Sequence, residues 1–461
     1  MALVMLAGLM PRPAMAQAAD PYYEFLLARR LEAQDDVKGA LAALQRAEAA
    51  APTSAEIKAE IAAFHLRRQP PAWEAGERAA QAAIAIDPKN VEANRSLGSL
   101  YAGRVDGTDR PLSPTMAEDV RRAIQHFEVA VAGMPDVDPN LQYVLGRLYQ
   151  RNGDHQRAVQ AFTRVVAQNP SWLTGRRALA EAYAASGDLG AAIGTLEEVV
   201  DYVPGVARLL AELQHKAGMF KEAAETYTMA LAVEPNNRDL KVRRVLALHS
   251  AMDFRRAAAF AAEGRKQHPD DPRFTGLQGR ALFDAGDRDA GIALIESLAK
   301  ATPRDTAVQW TLVEMYQSAR RDGDVERALR RILDVEPAEK NALNHLGYLL
   351  AVRGERLDEA IALVRRALEQ DPNNGAYLDS LGWAYFRRGD LNEAQKYLVA
   401  AAQQLPDNSE VQDHLGDLHE RRGNLAEAID AWTRALNGDG QDVDRAAIER
   451  KLEDAKKKLA R

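Results

Sequence analysis

The stretch NNGAYLDSLGWAYFRRGDLNEAQKYLVAAAQQLP, residues 373–406, decides the fold of this chain. Its first half places Leu378, Leu381, Gly382 and Tyr385 at positions i, i+3, i+4 and i+7. That spacing puts the four side chains on one face of an α-helix. We therefore predict a first helix whose buried face includes a glycine, so that a neighbouring helix can approach closely.

The second half of the same stretch predicts a second helix. The sequence RRGD interrupts the helical pattern, because Gly389 can adopt the left-handed conformation that ends a helix and Asp390 can cap the next one. Pro406 ends the second helix, since proline cannot donate the main-chain hydrogen bond that would continue it. The apolar stripe of the second helix consists of Ala394, Tyr397, Leu398 and Ala401. The stretch thus predicts a pair of helices joined by a short turn.

Prolines equivalent to Pro406 recur along the chain at nearly constant spacing. Successive members lie 31 to 36 residues apart, with a single step of 47. They are Pro52, Pro88, Pro135, Pro170, Pro204, Pro235, Pro269, Pro303, Pro337, Pro372 and Pro406. Such a period indicates repeated units that are too small to bury their apolar faces alone and therefore stack on one another. We predict an all-α solenoid of about twelve units.

The small and large positions of the helix pair recur together with the prolines. Leu-Gly pairs mark other first helices, and an alanine followed four residues later by a large side chain marks the second helices. The Leu-Gly pairs are Leu97-Gly98, Leu145-Gly146, Leu346-Gly347 and Leu415-Gly416. This pattern resembles the tetratricopeptide repeat family over residues 21–440. The resemblance implies a right-handed superhelix of helix-turn-helix repeats whose first helices line a concave groove.

The period divides the chain into three groups of repeats and a terminal helix. The N-terminal repeats occupy residues 21–135, the central repeats 136–337 and the C-terminal repeats 338–440. The 47-residue step contains an insertion at residues 103–119, whose composition predicts a surface loop that either contacts a ligand or has no role. Residues 443–461 predict a helix that caps the open end of the stack. Its apolar stripe would be Ile448, Leu452, Ala455 and Leu459.

The N-terminal residues 1–16 form a short apolar run that ends in helix breakers and Ala14-Met15-Ala16. This run resembles a secretory signal peptide cleaved after Ala16, and it is too short to anchor the chain across a bilayer. We therefore predict an exported, periplasmic protein without an integral membrane span. A cytoplasmic chain with an apolar start is the alternative, and the absence of cysteine agrees with either compartment.

The sequence contains no recognisable catalytic or cofactor-binding motif. Its nine histidines are scattered without partners at metal-ligand spacing, and no phosphate-binding glycine loop or nucleophile elbow occurs. We therefore predict a non-enzymatic protein with no metal and no cofactor. The net charge of −7 does not favour nucleic acid or anionic lipid as a partner, although the lysines at 456–458 leave a basic tail as an alternative to the cap. No sequence feature sets an oligomeric state.

The resemblance also selects residues that would face the groove, two positions either side of each leucine of the Leu-Gly pairs and one turn away. In the earlier repeats these residues are Arg95, Tyr143, Arg147, Arg177 and Arg208. An arginine in a groove can hold a carboxylate or a phosphorylated side chain through two parallel hydrogen bonds. A solvated helical face is the alternative interpretation of these arginines.

In the last three repeats the same projection selects an aromatic and acidic surface. It consists of Asn341, Asn344, Tyr348, Asp379, Trp383, Phe386, Glu410, Asp413, Asp417 and Glu420. Exposed aromatic side chains predict a partner that packs on them, although Trp383 could instead pack between repeats. We call Glu410, Asp413, Asp417 and Glu420 the acidic stripe, because they repeat at i, i+3, i+7 and i+10. Like charges in a row repel, so the stripe predicts a basic partner segment.

These features predict a scaffold or adaptor that binds a partner protein or peptide in the groove. Residues 377–394 and 413–428 are especially similar to bacterial envelope proteins of the tetratricopeptide family, which favours an adaptor in the cell envelope. Alternatives are an assembly factor for polysaccharide or secretion machinery and a cytoplasmic co-chaperone-like module. An enzyme would require a catalytic domain that the sequence does not show.

Overall fold

A computed structural model describes residues 20–105, 111–136, 138–440 and 443–460 of the chain. These residues form 25 α-helices and one 3-10 turn, and they contain no β-strand. Successive helices pair into twelve hairpins, and the 25th helix stands alone after the last hairpin. The structure confirms the predicted all-α solenoid of helix-turn-helix repeats. The chain divides into two compact units, with the boundary between Val233 and Glu234.

The N-terminal unit contains six hairpins, and successive hairpins within the unit pack against each other. Its helices are α1 Pro21–Ala33, α2 Val37–Ala50, α3 Ala55–Arg67, α4 Trp73–Ile86, α5 Val91–Gly103, α6 Pro114–Ala132, α7 Pro139–Asn152, α8 His155–Gln168, α9 Leu173–Ser186, α10 Leu189–Glu197, α11 Ala207–Lys216 and α12 Phe220–Val233, with the 3-10 turn at Pro204–Val206. Aromatic side chains such as Phe127 and Phe162 fill the space between the helices of a hairpin and are buried.

The C-terminal unit contains the other six hairpins and the last helix. Its helices are α13 Arg238–Ser250, α14 Phe254–Gln267, α15 Pro272–Asp284, α16 Arg288–Ala301, α17 Thr306–Ser318, α18 Asp322–Val335, α19 Lys340–Arg353, α20 Leu357–Gln370, α21 Gly375–Arg388, α22 Leu391–Gln404, α23 Ser409–Arg421, α24 Leu425–Asn437 and α25 Arg445–Leu459. Helix α21 contacts both α19 and α23, so the first helices of successive repeats lie side by side. We call the surface formed by α17, α19, α21 and α23 the inner face.

The hairpin of residues 373–406 has the local structure that its sequence predicts. The side chain of Asn374 accepts a hydrogen bond from the Tyr377 amide and begins α21. Gly389 ends that helix with a φ of 90°, which is unfavourable for residues that have a Cβ atom. Asp390 then caps α22 by accepting from the Glu393 amide. The turn and both helix starts are therefore local consequences of these side chains.

Gly382 allows the two helices of this hairpin to touch. A Cβ atom at this position would lie 2.7 Å from Cγ of Leu398 and 2.9 Å from its main-chain nitrogen. The glycine of each Leu-Gly pair thus makes room for the large residue of the second helix. The same contact recurs between Gly98 and Phe127, Gly146 and Phe162, Gly347 and Val364, and Gly416 and Trp432. The recurring glycines are packing positions rather than turns.

A further repeat feature was not predicted from the sequence. In several repeats a side chain donates a hydrogen bond to the carbonyl oxygen of the regularly spaced proline that lies six residues before it. The pairs are Asn94 and Pro88 at 3.0 Å, Arg176 and Pro170 at 2.8 Å, and Gln412 and Pro406 at 3.0 Å. The bond ties the inter-repeat turn to the next first helix and satisfies a carbonyl that the helix ladder cannot reach.

The insertion at residues 103–119 differs from its prediction as a surface loop. Helix α6 begins at Pro114, so residues 114–119 are helical. Ser113 caps this helix by accepting from the Met116 amide at 3.2 Å, and proline is favourable in the first turn because it needs no acceptor there. Residues 106–110 lie outside the described residues. The insertion therefore lengthens a second helix as well as the connection before it.

The terminal helix α25 packs on the last repeat through three of the four residues predicted for its stripe. Ile448, Leu452 and Ala455 are buried in a cluster with Trp432, whereas Leu459 is 55% exposed. Leu459 is the last residue of the helix and extends past the surface that the final hairpin offers. The predicted signal peptide at residues 1–16 lies outside the described residues.

Candidate functional site

The groove arginines of the N-terminal unit are exposed, and each lies close to an acidic side chain. Arg147 and Arg177 approach the two carboxylate oxygens of Glu181, at 3.6 and 3.8 Å. The structure thus brings these two arginines together across adjacent repeats. Tyr143 is half-buried, with its ring 5.1 Å from that of Trp172. Tyr143 therefore supports the interface between the repeats more than it faces solvent.

Arg95 and Arg208 stand apart from this pair. Arg95 forms an ion pair with Glu92 at 3.2 Å, and Arg208 forms one with Glu212 at 3.3 Å, in each case within a single helix. Ion pairs between exposed side chains contribute only about 0–1 kcal/mol. The four arginines are therefore held weakly, and their guanidinium groups remain accessible on the surface.

A pocket of about 330 Å³ opens on the inner face of the C-terminal unit. We call it the C-terminal pocket. Four consecutive first helices supply its walls: α17, α19, α21 and α23. The side chains used below are Trp310, Asn341, Asn344, His345, Tyr348, Ala376, Tyr377, Asp379, Asn408 and Glu410. Five of these residues were selected from the sequence, which means that the structure brings Asn341, Asn344, Tyr348, Asp379 and Glu410 together at one site.

Aromatic and amide groups form one wall of the C-terminal pocket. The rings of Trp310 and His345 stack at 6.3 Å with an angle of 25° between their planes. His345 lies 2.7 Å from the side-chain nitrogen of Gln317, and burial lowers the pKa of its imidazole. The Tyr377 hydroxyl donates a hydrogen bond to the side-chain oxygen of Asn341 at 2.6 Å. This wall is therefore preorganised and carries no positive charge at neutral pH.

Two carboxylates also line the pocket. The Tyr348 hydroxyl donates a hydrogen bond to the Glu410 carboxylate. This bond connects α19 to α23, two repeats further along the chain. Next to it, Asp379 is only 4% exposed and lies 2.9 Å from Nδ1 of His414. His414 itself does not line the pocket but stands behind Asp379. The pocket thus combines hydrogen-bond acceptors with aromatic side chains.

His414 is the centre of a buried polar and aromatic cluster that the sequence did not predict. Its ring stacks on Trp383 with centroids 4.0 Å apart and 14° between the planes, and Trp383 stacks on Phe386 at 4.9 Å. Burial lowers the pKa of His414, but the charge of Asp379 and the hydrogen bond to it outweigh that effect, so the pKa is raised. The contact with Asp379 therefore favours the protonated, positively charged form of His414 inside the fold.

The predicted aromatic surface is largely internal. Phe386 is 7% exposed and belongs to the core between repeats, which corrects the expectation that it is open in the groove. Trp383 is half-buried and packs against the same core, as the alternative interpretation anticipated. Burial follows from their neighbours, because α23 places His414 directly over the Trp383 ring. Of the three aromatics, only Tyr348 reaches the C-terminal pocket.

Three carboxylates of the acidic stripe form ion pairs with lysines of α25 in the same chain. Lys451 of α25 lies 2.9 Å from Asp413 and 2.6 Å from Asp417, and Lys458 lies 2.7 Å from Glu420. The expectation that these three carboxylates await an external basic segment is therefore wrong. The reason is geometric, since α25 packs beside α24 and places its lysines along the stripe. Glu410 is the member of the stripe that lines the C-terminal pocket.

Burial makes this lysine bridge different from the surface pairs. Burial and the neighbouring Asp413 raise the pKa of Asp417. Burial lowers the pKa of Lys451, but the hydrogen bond to Asp417 and the nearby charges outweigh it and raise the pKa. The charges of Asp379, Glu410 and Asp413 raise the pKa of His414, and His414 in turn lowers the pKa of Asp417. Asp413 and Asp417 also pair with Lys451, so these groups couple the last repeat to α25 electrostatically.

The raised pKa of His414 predicts a pH dependence. A histidine with a raised folded-state pKa stabilises the fold fully below its unfolded pKa of about 6.5 and loses that contribution as the pH rises through the folded value. The raised pKa of Asp417 likewise reduces the stability of the fold as the pH rises above about 4, the pKa of an unfolded aspartate. We therefore expect the C-terminal unit to lose stability from these groups as the pH increases.

The variant Asp379→Asn isolates the histidine. The variant removes the charge and the hydrogen bond that oppose the effect of burial most strongly, so the raised pKa of His414 should largely disappear. The lowered pKa values of His345 and His419 affect both proteins equally. We expect the free energy of unfolding of the wild type to exceed that of the variant, by a margin that decreases as the pH rises from about 6 to 9. Urea unfolding measures this difference. An advantage that is independent of pH would contradict the raised pKa.

A second pocket of about 430 Å³ lies in the N-terminal unit. Its principal polar groups satisfy one another, because Glu128 accepts from the Tyr149 hydroxyl at 2.7 Å and pairs with Arg157 at 2.8 Å. Although it is larger, its walls come only from α6, α7 and α8. Four successive first helices line the C-terminal pocket, which we therefore regard as the better candidate site.

Two further kinds of feature are absent from the part of the chain that the structure describes. Within them, no group of three or more His, Cys, Asp or Glu side chains is arranged to hold a metal ion. None of the described helices combines the length and apolar character needed to cross a bilayer.

The chain is similar in sequence to a curated bacterial protein and in fold to solved structures. It is 29% identical over 181 residues to the TPR repeat-containing protein PA4667 of Pseudomonas aeruginosa, a match that spans 39% of this chain and 31% of that protein. The structure of Naa15/Naa10 bound to HypK-THB aligns with 90% of this chain and 68% of that one, at 16% identity and a TM-score of 0.48. A tetratricopeptide repeat protein of Parabacteroides merdae aligns with 56% of this chain and 98% of its own, at 14% identity and a TM-score of 0.40.

Family models give the stronger result. Two models described as tetratricopeptide repeat match the chain, and together their matches cover more than half of it. The first matches residues 143–207, 177–239 and 313–375, and the second matches residues 214–281 and 351–417. The matched regions cover the inner face from the second half of α17 to most of α23. With its repeated helix hairpins and their glycine contacts, the chain belongs to the tetratricopeptide repeat family.

Proposed function

We propose that this protein is a non-enzymatic scaffold or adaptor that binds a segment of a partner protein along the inner face of the C-terminal unit. One observation carries the proposal: four consecutive first helices place polar and aromatic side chains around one open pocket. Because the first helices of repeats stand side by side, a single extended segment can contact all four. The groups that line the pocket are held in place by their own contacts, so binding requires little rearrangement.

The lining suits a polypeptide segment. Asn341, Asn344 and Asn408 come from α19 and the start of α23, and their amides can pair with main-chain N–H and C=O groups. Such pairing gives affinity without demanding one side-chain sequence, whereas the aromatic and carboxylate groups select the side chain that enters. A scaffold of this kind contributes no reacting group of its own.

The exposed arginines of the N-terminal unit form a second proposed contact. Arg147 and Arg177 flank Glu181 on adjacent repeats, and these two exposed ion pairs are weak enough to exchange partners. Arg95 and Arg208 offer isolated guanidinium groups on the same unit. We propose that this surface meets carboxylate or phosphorylated groups of a partner. The predicted signal peptide at residues 1–16 supports action in the periplasm, with the cytoplasm as the alternative.

The variant Ala376→Trp tests the proposed binding site. Ala376 lines the C-terminal pocket and is exposed, so a tryptophan there should fill the pocket without disturbing the core. We expect affinity capture under native conditions, from envelope and cytosolic fractions separately, to lose the proteins that wild type retains. The matched control is Ala426→Trp, which adds the same side chain to an exposed position of α24 outside the pocket. If wild type and Ala376→Trp capture the same proteins in equal amounts, the proposed binding site is wrong.

A further inference from the structure

We infer that the C-terminal pocket accepts an arginine side chain of the bound partner segment. This inference rests on the proposed function, because it specifies the chemistry of the segment that occupies the same site. The observations behind it are the charges that line the pocket, an unsatisfied acceptor in its wall, and the aromatic side chains that line it together with the carboxylates.

The charges that line the pocket favour a cation. Asp379 and Glu410 are its acidic residues, and no lysine or arginine is among the described residues that line it. His345 is neutral at physiological pH because burial disfavours its protonated form. His414 stands behind Asp379 and offsets much of that charge, so Glu410 supplies most of the attraction. A cationic side chain is therefore favoured over a neutral or acidic one.

The wall of the pocket also needs hydrogen-bond donors. The side-chain oxygen of Asn344 is shielded from solvent and has no hydrogen-bond partner among the described residues. A buried acceptor without a donor is unfavourable, and Asn344 lines the pocket that an incoming N–H group would enter. A ligand rich in donors thus gains from both Asn344 and the carboxylates. Guanidinium has five N–H donors and no acceptor.

The aromatic faces select arginine over lysine. Trp310, Tyr348 and Tyr377 line the pocket together with the acceptors. A planar guanidinium can stack on such faces while it donates two parallel hydrogen bonds to a carboxylate. A lysine ammonium is more strongly hydrated and cannot make the paired contact. The rest of the acidic stripe does not compete for the ligand, because Lys451 and Lys458 already bridge to it.

The test uses acetylated and amidated alanine pentapeptides that carry arginine, lysine, citrulline or glutamate at the centre. Binding to the full chain is followed by NMR through the indole N–H signal of Trp310, which reports on the pocket itself. We expect the arginine peptide to bind about tenfold more tightly than the citrulline peptide, which has the same shape without the charge. Lysine should fall between them, and glutamate should not bind measurably.

The variant Glu410→Gln provides the second arm. The variant keeps an acceptor for the Tyr348 hydroxyl, so the fold should persist. Its affinity for the arginine peptide should fall to the affinity that the wild type has for the citrulline peptide. The matched control is Glu420→Gln, which removes a stripe carboxylate that pairs with Lys458 away from the pocket and should leave the peptide affinities unchanged.

The outcomes separate this inference from the proposed function. If arginine and citrulline peptides bind equally, or if Glu410→Gln changes nothing, the arginine specificity is wrong. The scaffold proposal then still stands, provided that Ala376→Trp abolishes capture of natural partners. If Ala376→Trp leaves capture intact, the proposed function fails and this inference fails with it.

Discussion

The substitution Gly382→Leu should destabilise the C-terminal unit by about 3 kcal/mol or more. Even the Cβ atom of a new side chain would lie 2.9 Å from the main-chain nitrogen of Leu398, so the hairpin of α21 and α22 must open or shift. A backbone cannot relieve such a contact by changing a rotamer. Because each repeat depends on its neighbours, the loss should spread to the adjacent hairpins of the unit.

Thermal unfolding followed by circular dichroism should therefore show an earlier transition for part of the variant chain. Hydrogen exchange should locate that transition in α19 to α24. The matched control is Gly323→Ala, at a helical glycine of the same unit where the nearest atom to an added Cβ is a flexible arginine nitrogen at 4.0 Å. There alanine should be neutral or slightly stabilising. A single transition at the wild-type temperature in Gly382→Leu would refute the proposed close packing.

The substitution His414→Phe should cost roughly 3–5 kcal/mol near neutral pH. Phenylalanine keeps a ring for the stack on Trp383 but removes the group that lies 2.9 Å from the Asp379 carboxylate. Asp379 is 4% exposed, so its charge would be buried without a cation or it would have to take up a proton. The loss should be smaller in mildly acidic solution, where protonation of a carboxylate is easier.

The double variant His414→Phe with Asp379→Asn separates charge from packing. Asparagine fills nearly the same space as aspartate but carries no charge, so it should recover much of the stability that His414→Phe loses. Urea unfolding of the four proteins gives the coupling energy between the two positions as a double-mutant cycle. If the second substitution adds its own loss instead of restoring stability, the buried ion pair is not what holds these repeats together.

The repeats could be predicted because their determinants are local. Gly382 and Leu398 occupy fixed places in one hairpin, and Gly389 with Asp390 sets the turn between its helices. Helical periodicity and capping act over a few residues, so a single sequence reveals them. The same logic failed at Pro114, where a proline that was interpreted as part of a loop begins a helix.

The candidate site could be predicted only in part. The inward positions of Tyr348, Asp379 and Glu410 followed from the repeat register, and the structure brings them to one pocket. The partner of Asp379 is His414, which lies 35 residues away, about one repeat along the chain. An acid and a base at nearly equivalent positions of adjacent repeats were the available signal, and it was not used. The bonds that Asn94 and Gln412 make to proline carbonyls carried an equally periodic signal.

The sequence by itself determined the kind of repeat, the number of hairpins and the glycine contacts within them, because an apolar stripe must be buried against the next helix in the chain. Only the tertiary structure decided which polar side chains meet across repeats. It buried Phe386, paired Asp379 with His414 and gave three carboxylates of the acidic stripe to the lysines of α25. Those contacts depend on the rotation and offset between neighbouring hairpins to within a few ångströms, and no local pattern of residues encodes that geometry.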